Sequence, residues 1–281
     1  MTDEEPPPQP TWQGVWSFGG DLQISDLSFA IGEDGNFTAS TPTVRVRTDL
    51  WPFWLHDAVD AAEAACRAAE RIGPLIARLD AAGSDEEARR PIREELTSVL
   101  FRELRACMRT MTACAFAFDA LYATVKDRCG PHPHDVDGTW TRNRTARYKR
   151  ITETLRYHLK ISKRDVARQL KSAVTQMFRF RDWAVHMAAE FREPVARADL
   201  RASVDWHFVA FQCENALKAV GLTAQVLDYL VSVMDRNPEL AKGQAIARQR
   251  MDDIFTDYNA VAALTKFDRF SGPKPATEET A

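Results

Sequence analysis

Apolar residues follow two different patterns along the chain, and the change falls near residue 48. Before it, apolar and polar residues alternate, with interruptions at the turn signals Gly19-Gly20 and Gly32-Glu33-Asp34-Gly35-Asn36. A period of two residues between turn signals predicts short antiparallel strands. We therefore expect a small β segment over residues 12–48, packed on the helices because so small a sheet is not stable alone.

Beyond residue 48 the apolar positions recur every three or four residues, which predicts helices. Residues 111–122 are apolar nearly all round, which is typical of a central, buried helix. The protein is thus predicted to be mainly α, a bundle of long helices with a small N-terminal antiparallel β-hairpin or meander. The helical domain is expected over residues 49–270, with helices from a cap at Asp49 to about residue 79 (broken at Gly73-Pro74), then over 91–125, 140–161, 163–191, 198–234 and 239–267.

Both ends of the chain are expected to be disordered, at residues 1–11 and 271–281, because they are poor in apolar residues and rich in polar and proline residues. The acidic, proline-rich start is the opposite of a signal peptide, which begins basic and continues apolar. No apolar run approaches the ~20 residues that span a bilayer. We therefore expect a cytoplasmic protein with no membrane partner.

Charge is distributed unevenly, although the net charge is only −3. Residues 140–181 hold thirteen Lys and Arg but only two acids, Glu153 and Asp165, which gives +11 over 42 residues and leaves −14 for the rest. A basic block in an acidic protein is the electrostatic signature of a polyanion partner such as RNA. The alternative is a solvated helix face that the acidic remainder neutralises.

Three other features suggest weaker candidate chemistry. The five cysteines are scattered without CxxC pairs, which predicts core packing rather than disulfides or a zinc site. His132-Pro133-His134-Asp135 and Asp137 could ligate a metal, but no further ligand cluster lies near them in sequence, so a solvated loop is expected. Trp206-His207 is expected to pack inside an apolar helix. No metal and no cofactor are expected.

The segment Arg181-Asp182-Trp183-Ala184-Val185-His186 is the candidate working part of the chain. On a helix Asp182 and His186 share a face, so the carboxylate can hold one imidazole nitrogen and leave the other free for proton transfer. Arg179 lies on that same face. Arg181 lies about 140° round the helix from His186 at roughly 100° per residue, so a joint role needs a cleft that both enter, or a second subunit.

This segment resembles the Arg-x4-His motif of HEPN domains, and its place late in a helical region, after an apolar helix, is similar to that family over roughly residues 90–235. The resemblance implies a metal-independent endoribonuclease that cleaves RNA by 2′-hydroxyl attack in a cleft between two protomers, and hence a homodimer. It implies His186 as general acid/base, Arg181 as phosphate stabiliser, Asp182 as the residue that orients His186, and Arg179 as a further phosphate contact.

HEPN nucleases of this kind act in toxin–antitoxin or phage-defence systems, so the resemblance also implies a neutralising or sensor protein partner. One departure is Ala188, which stands where HEPN toxins silenced by nucleotidylation carry a tyrosine. Two alternatives stay open: a non-catalytic helical module that binds RNA or a nucleotide, and a helical scaffold for another protein. If RNA is the partner, basic residues follow its backbone and tyrosines stack on unpaired bases. The residues expected to do so are Arg142, Arg144, Arg147, Lys149, Arg150, Tyr148 and Tyr157.

Overall fold

A computed structural model describes residues 21–31, 36–40, 42–136, 138–186 and 192–264. The chain divides into two compact units, Met1–Asp49 and Leu50–Ala281. The described part of the first unit consists of short strands, and the second unit is helical. The strands of the first unit are β1 (Asp21–Ser25), β2 (Phe29–Ile31), β3 (Phe37–Ala39) and β4 (Thr43–Arg47).

These strands form one long antiparallel hairpin in two ladders. β1 pairs with β4, with Asp21 opposite Arg47, and β2 pairs with β3, with Ile31 opposite Phe37. Both ladders keep a single register, because the residue numbers of opposite partners add up to the same value throughout. Between the ladders, Asp26 has a φ of 62°. The N-terminal antiparallel hairpin is confirmed, while the strand signals at 12–20 lie outside the described residues and the packing on the helices stays a prediction.

The second unit contains the helices predicted from the apolar periodicity, with several boundaries moved. Asp85 caps the longest of them by accepting hydrogen bonds from the backbone N–H groups of Glu87 at 3.0 Å and Ala88 at 3.1 Å. That helix therefore starts before Pro91, which had been expected to open it. The helices are α1 (Trp51–Ala69), α2 (Ile72–Ala81), α3 (Glu86–Cys129), α4 (Thr139–Arg142), α5 (Arg147–His158), α6 (Arg164–Val185), α7 (His207–Ala210), α8 (Cys213–Ser232), α9 (Pro238–Ala241) and α10 (Gln244–Leu264).

The core is built around α3, which packs against α1, α5, α6 and α8. Met111, Cys114, Phe118 and Leu121 are fully buried, which confirms a central, buried helix over residues 111–122. One segment, Cys213–Arg236, is long and apolar enough to cross a membrane by length and composition alone, yet 61% of its most apolar window is buried inside the fold. Such burial is typical of a core helix.

Several of the predicted helices are wrong in part. The region 140–161 is not one helix, because a turn with Arg144 at a φ of 49° separates α4 from α5. The guanidinium of Arg150 donates to the carbonyl oxygens of Trp140 at 2.7 Å and Thr145 at 3.0 Å, and so satisfies the backbone where the helix stops. The next helix ends at Val185 rather than at residue 191.

The region 198–234 is also not a single helix. A two-stranded hairpin takes the place of its first residues. Strand β5 (Val195–Arg197) pairs with β6 (Ala202–Val204), and the turn between them holds Arg201 at a φ of 51°. A buried ion pair explains this structure, since the Arg197 guanidinium donates to the Glu103 carboxylate at 2.7 Å and both side chains are at most 2% exposed. Tertiary pairing of this kind overrides local helical propensity.

Candidate functional site

Helix α6 presents one continuous polar face to solvent. At roughly 100° per residue, every third or fourth residue falls within about 40° of one line along the helix. The opposite side is buried through Leu170, Ala173, Val174, Met177 and Phe178. We call the exposed line the α6 stripe. It consists of Arg164, Arg168, Lys171, Thr175, Arg179, Asp182 and, directly after the last helical residue, His186.

His186 ends the α6 stripe and its side chain is exposed. Its backbone N–H donates to the Asp182 carbonyl oxygen at 2.8 Å, which closes the last turn of the helix. Among the described residues its imidazole has no hydrogen-bond partner. The ring is therefore accessible to a substrate rather than committed to the core of this chain.

Arg181 and Asp182 bind each other. The Arg181 guanidinium donates from Nε to Asp182 Oδ1 at 3.0 Å, and from Nη2 to the same oxygen. It also lies over the Phe178 ring, 4.7 Å from the ring centre. The Asp182 carboxylate is thus held by Arg181 and not by His186. A single chain does not bring the three motif side chains to one point.

A groove of about 540 Å³ runs along α6 beside the stripe. Its C-terminal end is aromatic, because the Arg179 guanidinium lies 4.6 Å from the centre of the Trp183 ring, and Trp183 meets Phe180 edge-on at 5.3 Å. Aromatic planes beside cations are what unpaired bases and phosphates bind to. We call this the α6 groove. Its lining residues are Arg168, Lys171, Ser172, Thr175, Gln176, Arg179, Phe180 and Trp183.

The basic block is only partly available for a ligand. Arg147 pairs with Asp119 at 2.6 Å, and Arg150 is bound to the backbone around the α4–α5 turn. Tyr148 packs against the core, whereas Tyr157 is 52% exposed. Arg156, Arg168 and Arg181 are ion-paired with Glu153, Asp165 and Asp182. Among the described residues 140–181, the basic side chains that have no ion pair and, unlike Arg150, no hydrogen bond to the backbone are Arg142, Arg144, Lys149, Lys160, Lys163, Arg164, Lys171 and Arg179.

A carboxylate–imidazole pair beside the α6 groove was missed by sequence reasoning. His207 begins α7 instead of lying within an apolar helix, and Asp205 Oδ1 accepts hydrogen bonds from its backbone N–H at 2.8 Å and from its ring Nδ1. The backbone N–H of His207 lowers the pKa of Asp205. His207 Nε2 is buried with no hydrogen-bond partner among the described residues. Trp206 meets Trp183 edge-on at 5.4 Å. The Asp two residues before His207 was the available signal.

In the loop over residues 132–136 only His132 is buried, while Pro133, His134 and Val136 are exposed as expected for a solvated loop. His132 is buried and stacks on Trp140, with ring centres 5.1 Å apart, and burial lowers the pKa of His132. Asp135 is bound to Lys126 at 2.6 Å. Across the described ranges, which leave out Asp137, no group of three or more His, Cys, Asp and Glu side chains is placed to hold a metal ion.

No family model, no curated protein and no solved structure matches the chain. The class of the protein therefore rests on its fold and on α6: a mainly α-helical protein with a basic and aromatic groove along α6 and an exposed histidine directly after that helix.

Proposed function

We propose that the protein is a HEPN-like, metal-independent endoribonuclease that acts as a homodimer in the cytoplasm. One observation carries the proposal: the exposed His186 stands at the end of a polar stripe whose cations line the α6 groove together with the rings of Phe180 and Trp183. A cationic groove follows a phosphate backbone, and an imidazole titrates near neutral pH, as proton transfer at physiological pH requires.

The reaction would use the RNA as its own nucleophile. His186 accepts the proton of a 2′-hydroxyl as its oxygen attacks the adjacent phosphorus, and the bond to the 5′-oxygen breaks. The products are a 2′,3′-cyclic phosphate and a 5′-hydroxyl end, which takes up a proton. A guanidinium stabilises the charge on the phosphorane.

The second protomer supplies what one chain lacks. Arg181 lies about 140° round the helix from His186 at roughly 100° per residue, so we place the Arg181 of one protomer against the phosphate that reacts at the His186 of the other. Once Arg181 binds phosphate, the Asp182 carboxylate is released to orient His186, one helical turn away. Arg179 adds a further phosphate contact.

Cleavage of mixed single-stranded RNA in excess EDTA tests the proposal. Wild type should produce 2′,3′-cyclic ends, and His186→Ala should lose about 10²- to 10⁴-fold of the rate, which is typical for loss of a general acid or base. His56→Ala is the matched control, because His56 pairs with Asp257 at 3.4 Å between α1 and α10. Mixing His186→Ala with Arg181→Ala protein should restore part of the activity. Equal cleavage by His186→Ala and wild type would overturn the proposal.

A second candidate is a non-catalytic binder of single-stranded RNA. The Arg181–Asp182 pair favours it, because a neutralised guanidinium is not poised to stabilise a phosphorane. Binding without cleavage would then be salt-dependent, with a slope of log K against log salt of roughly −0.7 for each phosphate neutralised. Lys171→Ala should make that slope less negative by about 0.7, the contribution of one phosphate contact. Lys218→Ala should leave it unchanged, since Lys218 is paired with Glu214 on α8.

For the nuclease, the setting we propose is a toxin–antitoxin or phage-defence system. An uncontrolled ribonuclease harms its host, so a neutralising or sensor partner belongs to the proposal. Co-purification of one stoichiometric partner with the full-length chain, and loss of RNA cleavage in that complex, is the expected outcome.

A further inference from the structure

A second pocket, of about 270 Å³, lies between α4, α5 and α6. It combines an aromatic plane, two ammonium groups, two hydroxyls and a carboxylate. Both lysines are exposed, and neither has a carboxylate partner in the described residues. We call it the Trp140 pocket. Its lining residues are Trp140, Thr145, Lys149, Thr152, Glu153 and Lys171.

The wall of the Trp140 pocket is held in place before any ligand arrives. Arg150 donates to the carbonyl oxygens of Trp140 and Thr145, which fixes the turn between α4 and α5. The Trp140 ring stacks on the buried His132, with 21° between the ring planes. A fixed aromatic side chain loses little entropy on binding, so it is an efficient surface for stacking.

The polar groups of the Trp140 pocket match the parts of a nucleotide. A base can stack on Trp140, and its edge N–H groups can donate to the Glu153 carboxylate, which Arg156 holds at 2.8 Å. A phosphate can bind to the ammonium groups of Lys149 and Lys171.

The Trp140 pocket and the α6 groove share one lining residue, Lys171. From Lys171 to His186 the helix advances 15 residues, which is about 22 Å at 1.5 Å per residue. That span corresponds to six or seven nucleotides at the roughly 3.4 Å spacing of stacked bases, and to fewer in an extended strand.

We propose that the Trp140 pocket is an anchoring subsite that binds one nucleotide of single-stranded RNA several positions away from the bond at His186. The inference rests on the proposed function, whose substrate it specifies as an unpaired strand long enough to reach both sites. Trp140 and Lys149 are binding residues in this scheme and take no part in the chemistry.

Binding of a 12-nucleotide single-stranded RNA tests the subsite, in the full chain carrying His186→Ala so that the RNA stays intact. Lys149→Ala and Trp140→Leu should each weaken binding about tenfold, or about 1.4 kcal/mol, which is the size of effect that one stacked base or one charged contact has. Lys218→Ala is the control. A 2-aminopurine base scanned along the strand should be quenched at one position, and Trp140→Leu should abolish that quenching.

The outcomes separate the two proposals. Unchanged affinity in Lys149→Ala, with weakened binding in Arg179→Ala, would overturn the subsite and leave RNA binding in the α6 groove intact. Weakened binding in Lys149→Ala, combined with no cleavage by wild type, would support the subsite and contradict the nuclease. Failure of the parent chain to bind the 12-mer would overturn both. If a mononucleotide displaces the 12-mer as effectively as unlabelled RNA does, the ligand is a free nucleotide, and the proposal of a subsite for an RNA strand is wrong. Lys149→Ala removes an exposed side chain, so its effect does not depend on folding.

Discussion

Replacing Arg197 by methionine is expected to destabilise the helical unit strongly. Glu103 is 1% exposed and accepts hydrogen bonds from the Arg197 guanidinium at 2.7 Å and from the Cys213 backbone N–H at 2.9 Å. Without Arg197 the buried carboxylate keeps only the backbone donor. Loss of one partner from a buried ion pair costs about 3–5 kcal/mol, so Arg197→Met should lower the free energy of unfolding by that amount at pH 8.

The loss should be smaller at pH 5. Burial raises the pKa of the Glu103 carboxyl, and Arg197 opposes that shift. In Arg197→Met the folded state therefore binds a proton on Glu103 more tightly than the unfolded state does. The stability of this variant consequently falls as the pH rises from the pKa of Glu103 in the unfolded chain toward its higher pKa in the folded protein. More of Glu103 is protonated at pH 5 than at pH 8, and a protonated carboxyl needs no cation beside it.

Urea unfolding followed by circular dichroism measures both effects. With a slope of about 1–3 kcal/mol per molar urea, the midpoint should fall by at least about 1 M at pH 8. Arg201→Met is the matched control, because Arg201 pairs with Asp80 at an exposed site and should cost at most about 1 kcal/mol. The double replacement Arg197→Met with Glu103→Leu should regain most of the loss. A loss below about 1 kcal/mol in the single variant would refute the reasoning.

Two further predictions concern the core. At pH 8 an aromatic disulfide reagent should react first with one thiol of the native protein, the half-buried Cys129, because the other four cysteines are buried and burial raises the pKa of Cys114 to about 12. Burial also raises the pKa of Cys129, so its reaction should be slower than that of a free thiol. Equally fast reaction of two or more thiols would contradict this prediction. Gly221→Ala should cost about 1–3 kcal/mol in thermal unfolding, because overpacking strains a core and its Cβ would lie 2.8 Å from Tyr258 Oη. Tyr258→Phe should recover part of that loss, and an unchanged melting temperature in Gly221→Ala would argue against the close packing.

Much of the fold could be predicted from the sequence because burial follows periodicity. Met111, Cys114 and Phe118 recur every three or four residues, and all three are fully buried on α3. The hairpin was predictable for the same reason, since alternation and turn residues are local signals. Features that depend on distant partners were not predictable. Glu103 and Arg197 lie 94 residues apart, and neither residue carries a local sign of the other.

The candidate site shows the same division. The exposure of His186 follows from the polar stripe that repeats every three or four residues along α6. The end of the helix at Val185 does not, because the helix was predicted to continue to residue 191. The partner of Asp182 does not follow from spacing, because a carboxylate can reach a side chain one residue away as well as one a turn away, and here it binds Arg181. The Asp205–His207 pair was missed because an apolar context suggested a helix interior, whereas α7 begins only at His207.

The single register of the N-terminal hairpin limits how this part of the chain can change in length. Side chains of a strand alternate between two faces, so deleting one residue from β1 would move Leu22 and Ile24 to the opposite face and break their alignment with Val46 and Val44. Residues added between β2 and β3 leave both ladders paired as they are. Natural length variation in this unit is therefore expected between Ile31 and Phe37, and a tag or a label inserted there should leave the hairpin paired.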